Sequence, residues 1–158
     1  MKDELVPLRF GVHYGTGWIA KLIQWQQRCP CSHISIIAND NLLIEAREFR
    51  GVVSERTLAM AREESRVDVL FTMVAATQRD ACIAWALSQR GKLYDYSAIL
   101  RFITRSQSDR ADNGKWFCSE FAFVGASKAD VILLKRIDPV AVSPGHFLLS
   151  PQLSIEST

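Results

Sequence analysis

The sequence has no apolar run of about 18 residues, the length that a membrane-spanning helix requires. Its N-terminus, MKDELVPLRF, lacks the continuous apolar stretch and small-residue cleavage site of a secretory signal peptide. The KDEL at positions 2–5 is not a retention signal, because that signal is read only at a C-terminus. These absences predict a protein without an integral membrane segment that stays in the cytoplasm, unless it is phage-encoded or otherwise released.

The chain also lacks a strong excess of either charge. Lys and Arg number 19 and Asp and Glu 17, a net charge of +2, which gives no field that would attract nucleic acid. No internal repeat or low-complexity tract interrupts the sequence, and we expect one domain over residues 1–158. A compact domain of this size buries roughly 68–70% of the surface that its unfolded chain exposes.

Cysteine is too sparse for a disulfide framework. The four residues, Cys29, Cys31, Cys82 and Cys118, do not have the dense spacing of a small secreted domain. We therefore expect free thiols in a reducing compartment.

The hydrophobic pattern predicts an α+β domain, a small antiparallel sheet packed against helices. Strands are expected at 33–38, 42–46, 67–73 and 131–136. Helices are expected at 18–28, at 55–65 with Ser54 as cap, and from a Thr77–Asp80 capping box to Gly91. Two more are expected from Cys118 to about Lys128 and over 145–150 behind Ser143 and Pro144. The polar stretch 104–115 is expected to be an exposed loop that closes or lines a pocket.

Cys118, in the stretch KWFCSEFAF, is the candidate nucleophile. A free cysteine is mostly protonated near neutral pH, and a helix N-terminus or a neighbouring imidazolium favours its thiolate. A helix beginning at Cys118 would also supply the backbone N–H of that residue to a developing oxyanion. The alternative is that Cys118 is a small buried side chain of the core.

His33 and Glu45 are the candidate partners of that thiol. His33 opens an apolar strand, whereas His13 and His146 lie where an exposed or capping role is expected. If Asn39, Asp40 and Asn41 form a three-residue hairpin loop, Ser35 pairs with Glu45. Glu45 is then the diagonal neighbour of His33 on one face, within reach of its ring. A two-residue loop would place Glu45 on the opposite face.

The order of four short motifs, SHISIIA, LLIEA followed by GV, YDY and WFCSEF, resembles the permuted papain-like amidases of the NlpC-related superfamily, especially the YiiX/YaeF-like group. The resemblance covers most of the chain. It implies a circularly permuted papain-like fold in which histidine and glutamate precede the cysteine, with Cys118 as nucleophile, His33 as base and Glu45 as orienting group.

These residues predict a cysteine hydrolase that cleaves an amide or ester bond through a thioester. Its substrate would be a small molecule, a peptide or an acyl amide, and no cofactor is expected. Tyr14, Tyr94 and Asp95 are candidate substrate-binding residues, with a core tyrosine beside a turn-forming aspartate as the alternative for the last two. The sequence does not select the substrate or the oligomeric state.

Two other functions compete with hydrolysis. The chain could be a binding module that keeps the scaffold without turnover, since fold and chemistry can separate. It could also bind zinc through Cys29, Cys31 and His33, although zinc sites favour two to four residues between paired cysteines and CPC has one.

Overall fold

The computed structural model describes residues 4–104 and 114–157. The strands are β1 (Leu5–Tyr14), β2 (His33–Asn39), β3 (Leu42–Arg47), β4 (Gly51–Val53), β5 (Arg66–Ala75) and β6 (Ser154–Ile155). The α-helices are α1 (Trp18–Gln27), α2 (Leu58–Glu64), α3 (Ala76–Ser88), α4 (Tyr96–Thr104), α5 (Cys118–Lys128) and α6 (Pro144–Leu148), and a 3₁₀ turn covers Pro139–Ala141.

The strands form one six-stranded sheet in the order β4-β3-β2-β1-β5-β6, and every neighbouring pair is antiparallel. Helices α3 and α5 pack against each other and against the sheet. The expected α+β class, with a small antiparallel sheet packed on helices, is confirmed. None of the helices in the described part of the chain is long and apolar enough to span a bilayer.

The hairpin between β2 and β3 reaches the predicted register by a different route. Asn39 pairs with Leu42, so the loop has two residues instead of three, but the pairing shifts between Ile37 and Asn39. This irregularity leaves Ala38 as an extra residue on β2, as in a β-bulge. Ile37 then pairs with Leu43 and Ile36 with Ile44. The same register, continued by one residue, places Ser35 opposite Glu45. The bulge therefore places Glu45 on the same sheet face as His33, whereas a two-residue loop without a bulge would have placed it on the opposite face.

Alternation along the strands divides the apolar residues between the two sheet faces. One face joins the main core, which contains Phe10, Ile36, Ile44 and, from α5, Phe121. The other face forms a smaller cluster with α2, made of Ile37, Leu43, Leu58, Ala61, Val67 and Val69. The odd-numbered positions of β2 and β3 that carry His33 and Glu45 are on this second face.

One predicted strand is wrong. Residues 131–136 do not form a strand, because Asp130 and Arg136 have φ values of 57° and 60° and interrupt the extended path at both ends. Val131 and Leu133 are buried nonetheless, so the apolar run fills the core from a loop.

Two predicted helix starts are displaced. Thr57, not Ser54, caps α2 through its side chain, which accepts from the Met60 N–H at 3.1 Å. The expected Thr77–Asp80 box is replaced by Gln78, whose side chain accepts from the Ala75 N–H at 3.2 Å. Except for Thr104, Gly114 and Lys115, the predicted loop 104–115 falls outside the described residues.

Candidate functional site

A histidine and a buried carboxylate meet at the start of the central hairpin. His33 is the first residue of β2, and its Nε2 lies 2.8 Å from Glu45 Oε2 on β3. Glu45 is fully buried, whereas the His33 side chain remains 14% exposed. The restored hairpin register is the local reason for the contact, because it places both side chains on one face.

Arg56 holds the same carboxylate from the other side. Its Nε donates to Glu45 Oε1 at 2.7 Å and its Nη2 to Oε2 at 2.8 Å, a two-pronged pairing of the kind that fixes a carboxylate in one orientation. Arg56 follows β4, and its carbonyl accepts from the Leu43 N–H at 2.9 Å, which anchors it beside β3. Its third nitrogen donates to Glu64 on α2. Glu45 is therefore shared between two cationic groups.

Cys118 acts on the same imidazole. It is the first residue of α5, and its electrostatic interaction with the ring raises the pKa of His33. The sulfur is fully buried. Of the three residues that the sequence predicts to act together, His33 and Glu45 are therefore in direct contact, and Cys118 influences the same ring.

His13 is a fourth member of this cluster, and its expected exposed or capping role is wrong. It is 3% exposed and lies opposite His33 in the β1–β2 register. The two rings meet edge to face with centroids 4.9 Å apart. His13 Nε2 lies 2.8 Å from Ser35 Oγ, and Gly11 leaves room for that contact, since a Cβ there would lie 2.5 Å from the same oxygen.

The charges of these groups follow from their neighbours. Burial lowers the pKa of His33, but the charge and hydrogen bond of Cys118 and the Glu45 carboxylate outweigh it and raise the pKa to about 10. Burial raises the pKa of Glu45, yet hydrogen bonds from His33 and Arg56 hold it well below its usual range. Burial and the charge of His33 lower the pKa of His13. At neutral pH the cluster therefore contains an imidazolium, a carboxylate and a neutral imidazole.

A cleft of about 300 Å³ opens beside His33. His13, Ser32 and Arg56 also line it, together with two prominent aromatic side chains, Trp18 and Phe49, that are 74% and 80% exposed. The cleft thus reaches the imidazole, whereas Cys118 is fully buried and is not among the described residues that line it.

The predicted substrate-binding residues lie away from the described lining of this cleft. The Tyr14 hydroxyl donates to Asp68 at 2.8 Å. Tyr94 is buried against Phe117, with ring centroids 5.8 Å apart, and burial raises the pKa of its phenol well above its usual value. Asp95 accepts from the Ser97 N–H at 3.0 Å and so begins α4. These contacts account for the three side chains structurally, and their role toward a substrate stays a prediction.

The possible metal ligands that converge in the structure differ from the predicted zinc ligands Cys29, Cys31 and His33. Cys29 and Cys31 lie close together, with sulfurs 3.3 Å apart. Within the described ranges, however, the three potential ligands that converge are His13, His33 and Glu45, whose donor atoms all lie within 4.8 Å of one another.

Comparison with solved structures identifies the architecture. The chain shares the fold of YiiX. The crystal structure of this metalloprotein, from Escherichia coli O157:H7, superposes with a TM-score of 0.72 over 99% of this chain and 98% of the YiiX chain, at 16% sequence identity. This likeness to YiiX establishes the fold and not the chemistry. No protein-family model matches the sequence, and no curated protein matches it.

Two site residues were missed from the sequence. Arg56 lies in the sequence SERT, which matches no known motif. Nothing in that local sequence indicates that its guanidinium binds the carboxylate of Glu45, eleven positions earlier. For His13 the sequence did contain a signal. In FGVHY the apolar residues Phe10 and Val12 occupy alternate positions, as in a strand, and His13 then lies on the opposite face.

Removing Arg56 should expose the cost of burying Glu45. We expect Arg56→Met to lower the free energy of unfolding by about 3–5 kcal/mol, because a buried ion that loses a partner keeps its desolvation penalty. Arg50→Met is the matched control, since Arg50 pairs with Glu55 at 2.7 Å on the surface and such pairs contribute about 0–1 kcal/mol. Urea unfolding measures both, and equal losses would contradict this description of the site.

The charged His33 should make stability depend on pH. Its pKa is about 10 in the folded protein and about 6.5 when unfolded. Its contribution is therefore complete below about pH 6.5 and is lost as the pH rises toward 10. The free energy of unfolding should fall over this interval by on the order of a few kcal/mol, since one pKa unit is about 1.4 kcal/mol.

Denaturant unfolding from pH 6 to pH 10, on wild type and His33→Gln, isolates this contribution. Other thiols and phenols titrate in both proteins, so the informative quantity is the difference between the two curves. A constant difference across the range would show that His33 is not charged in the folded state.

Proposed function

We propose that the protein is a thiol hydrolase of the permuted papain-like type, with Cys118 as nucleophile, His33 as its acid–base partner and Glu45 as the group that orients His33. The observation that carries this proposal is the 2.8 Å contact between His33 and the buried Glu45 carboxylate. It is supported by Cys118, which begins α5 and raises the pKa of the same imidazole. A nucleophile, a base and an orienting group within hydrogen-bond reach are the arrangement that acyl transfer requires.

In the proposed reaction the proton of Cys118 resides on His33, and the thiolate attacks the carbonyl carbon of an amide or ester. The helix leaves the N–H groups of its first turn without intrahelical partners, so the N–H of Cys118 is placed to donate to the oxyanion. His33 then protonates the leaving amine or alcohol, and a thioester remains on Cys118. Water, activated by the now neutral His33, hydrolyses the thioester and restores the thiol.

Substrate would enter through the cleft. Of the three proposed catalytic residues, His33 is the one that lines the cleft and is partly exposed to solvent. Because the Cys118 side chain is fully buried, attack requires the side chains around the sulfur to move as the substrate binds. Closing lids and moving loops serve this purpose in many hydrolytic and transfer enzymes. Exclusion of water before substrate arrives also protects a thiolate from unproductive chemistry.

Cys118→Ala should abolish turnover and covalent capture together. In a screen of activated acyl esters and aryl amides, we expect a loss of at least about 10³-fold, as when a nucleophile is removed from other hydrolases. In the wild type, a slowly hydrolysed acyl donor should leave its acyl mass on the tryptic peptide 116–128, which contains Cys118 and no other cysteine.

Cys82→Ala is the control, since Cys82 is equally buried on α3 without a histidine partner among its described contacts. It should retain both activity and the acyl adduct. Acylation of another residue, or full turnover by Cys118→Ala, would contradict the proposal. Binding of substrates without acylation or turnover in wild type would instead identify a non-catalytic module.

A metal centre on His13, His33 and Glu45 is the second candidate. It is favoured by the convergence of their donor atoms within 4.8 Å and by the metalloprotein described for the structural neighbour. Against it, both Glu45 oxygens already accept from Arg56. A divalent ion would have to displace or face that guanidinium.

His13→Ala separates the two candidates, because His13 belongs to the metal set and not to the proposed proton path. We expect wild-type protein incubated with Zn²⁺ or Mn²⁺ and then desalted to hold well under one ion per chain by elemental analysis. We also expect His13→Ala to keep most of the acylation at Cys118. One ion per chain in wild type, lost together with activity in His13→Ala, would favour the metal centre instead.

A further inference from the structure

Two thiols that the proposed hydrolase does not use lie in contact in the connection between α1 and β2. The sulfur atoms of Cys29 and Cys31 are 3.3 Å apart, against about 2.0 Å in a disulfide. A movement of little more than 1 Å would therefore bring them to bonding distance. None of the four cysteines is in a disulfide in this structure.

The end of α1 creates this approach. Arg28 terminates the helix with φ of 54°, and the chain bends at Cys29 and Pro30 before β2 begins. Proline has no N–H and cannot continue a helix, so the bend is built into the CPC sequence. Gln27 reinforces it, because its side-chain amide donates to the Cys31 carbonyl and its oxygen accepts from the Gly145 N–H at 2.9 Å.

The two sulfurs differ in access. Cys29 is partly exposed, whereas Cys31 is fully buried. The outer thiol therefore meets solvent, whereas the inner one is reached through its neighbour. An accessible attacking thiol beside a protected resolving thiol is the arrangement used in thiol–disulfide exchange.

We propose that Cys29 and Cys31 are a dithiol site that exchanges with low-molecular-weight disulfides, such as glutathione disulfide, to form an intrachain Cys29–Cys31 bond. The Cys29 thiolate attacks one sulfur of the disulfide, which forms a mixed disulfide at Cys29 and releases one glutathione thiolate. Cys31 then loses its proton and attacks the Cys29 sulfur, which releases the second glutathione. The two protein thiols are oxidised by two electrons and glutathione disulfide is reduced to two thiols.

Tryptic mapping of native protein incubated with glutathione disulfide and then quenched with acid tests this site. Both cysteines fall in the peptide 29–47, which contains no other cysteine. We expect that peptide to lose the mass of two hydrogens, and the thiol count of the denatured chain to fall from four to two. Dithiothreitol should reverse both changes.

Two variants test the order of the steps. Cys31→Ser should stop at the mixed disulfide, so that peptide 29–47 carries one glutathione. Cys29→Ser should remain unmodified on this peptide, because the remaining thiol is buried. Cys82→Ser should behave as wild type, and circular dichroism of each variant establishes that it is folded before oxidation.

Three outcomes would overturn the proposal. They are retention of all four thiols in wild type, accumulation of the unresolved glutathione adduct in wild type, and a new bond that includes Cys82 or Cys118. None of these outcomes depends on hydrolase activity, since the readouts are masses and thiol counts. The Cys118→Ala variant, in which hydrolysis is absent, should form the Cys29–Cys31 bond as wild type does.

Discussion

The buried carboxylate of Glu45 is the constraint around which the site is organised. Taking a carboxylate out of water costs several kcal/mol even after the protein relaxes, unless cations and hydrogen bonds replace the lost solvent. Here Arg56 supplies two donors and His33 a third. The position of β4, the hairpin register and the orientation of His33 are therefore linked, because a shift in any of them would leave the charge without compensation.

The sharing of one carboxylate between two cationic groups has a chemical consequence. Arg56 keeps Glu45 ionised at any physiological pH, so the carboxylate can hold the charged form of His33 without taking its proton. That arrangement favours an imidazolium facing Cys118, which is the resting state that a thiol nucleophile needs. The same guanidinium disfavours a divalent ion at this place, since cation would face cation across a buried carboxylate.

The sequence predicted features that depend on neighbouring residues, and it did not predict features that depend on contacts between distant segments. The alternation in HISIIA and LLIEA and the apolar helix after Cys118 predicted the central elements, and the hairpin predicted the contact of His33 with Glu45. The Ala38 bulge was not foreseen, and the predicted pairing held because the bulge compensated for the shorter loop. Arg56 was missed because its position depends on β4 folding back on β3. Residues 131–136 were wrongly predicted as a strand because the positive φ values at Asp130 and Arg136 depend on tertiary structure.

Thiols that are equally buried have different neighbours in this fold. Cys31, Cys82 and Cys118 are equally buried, yet each has different neighbours. Cys82 has an apolar environment that raises its pKa to about 12, and an inert thiol is expected there. Cys31 faces a second sulfur and Cys118 faces an imidazolium. A sulfur partner favours exchange chemistry, whereas a cationic ring favours attack on a carbonyl. Only Ser32 separates Cys31 from His33 in the sequence, so the surroundings of the two thiols meet at the start of β2.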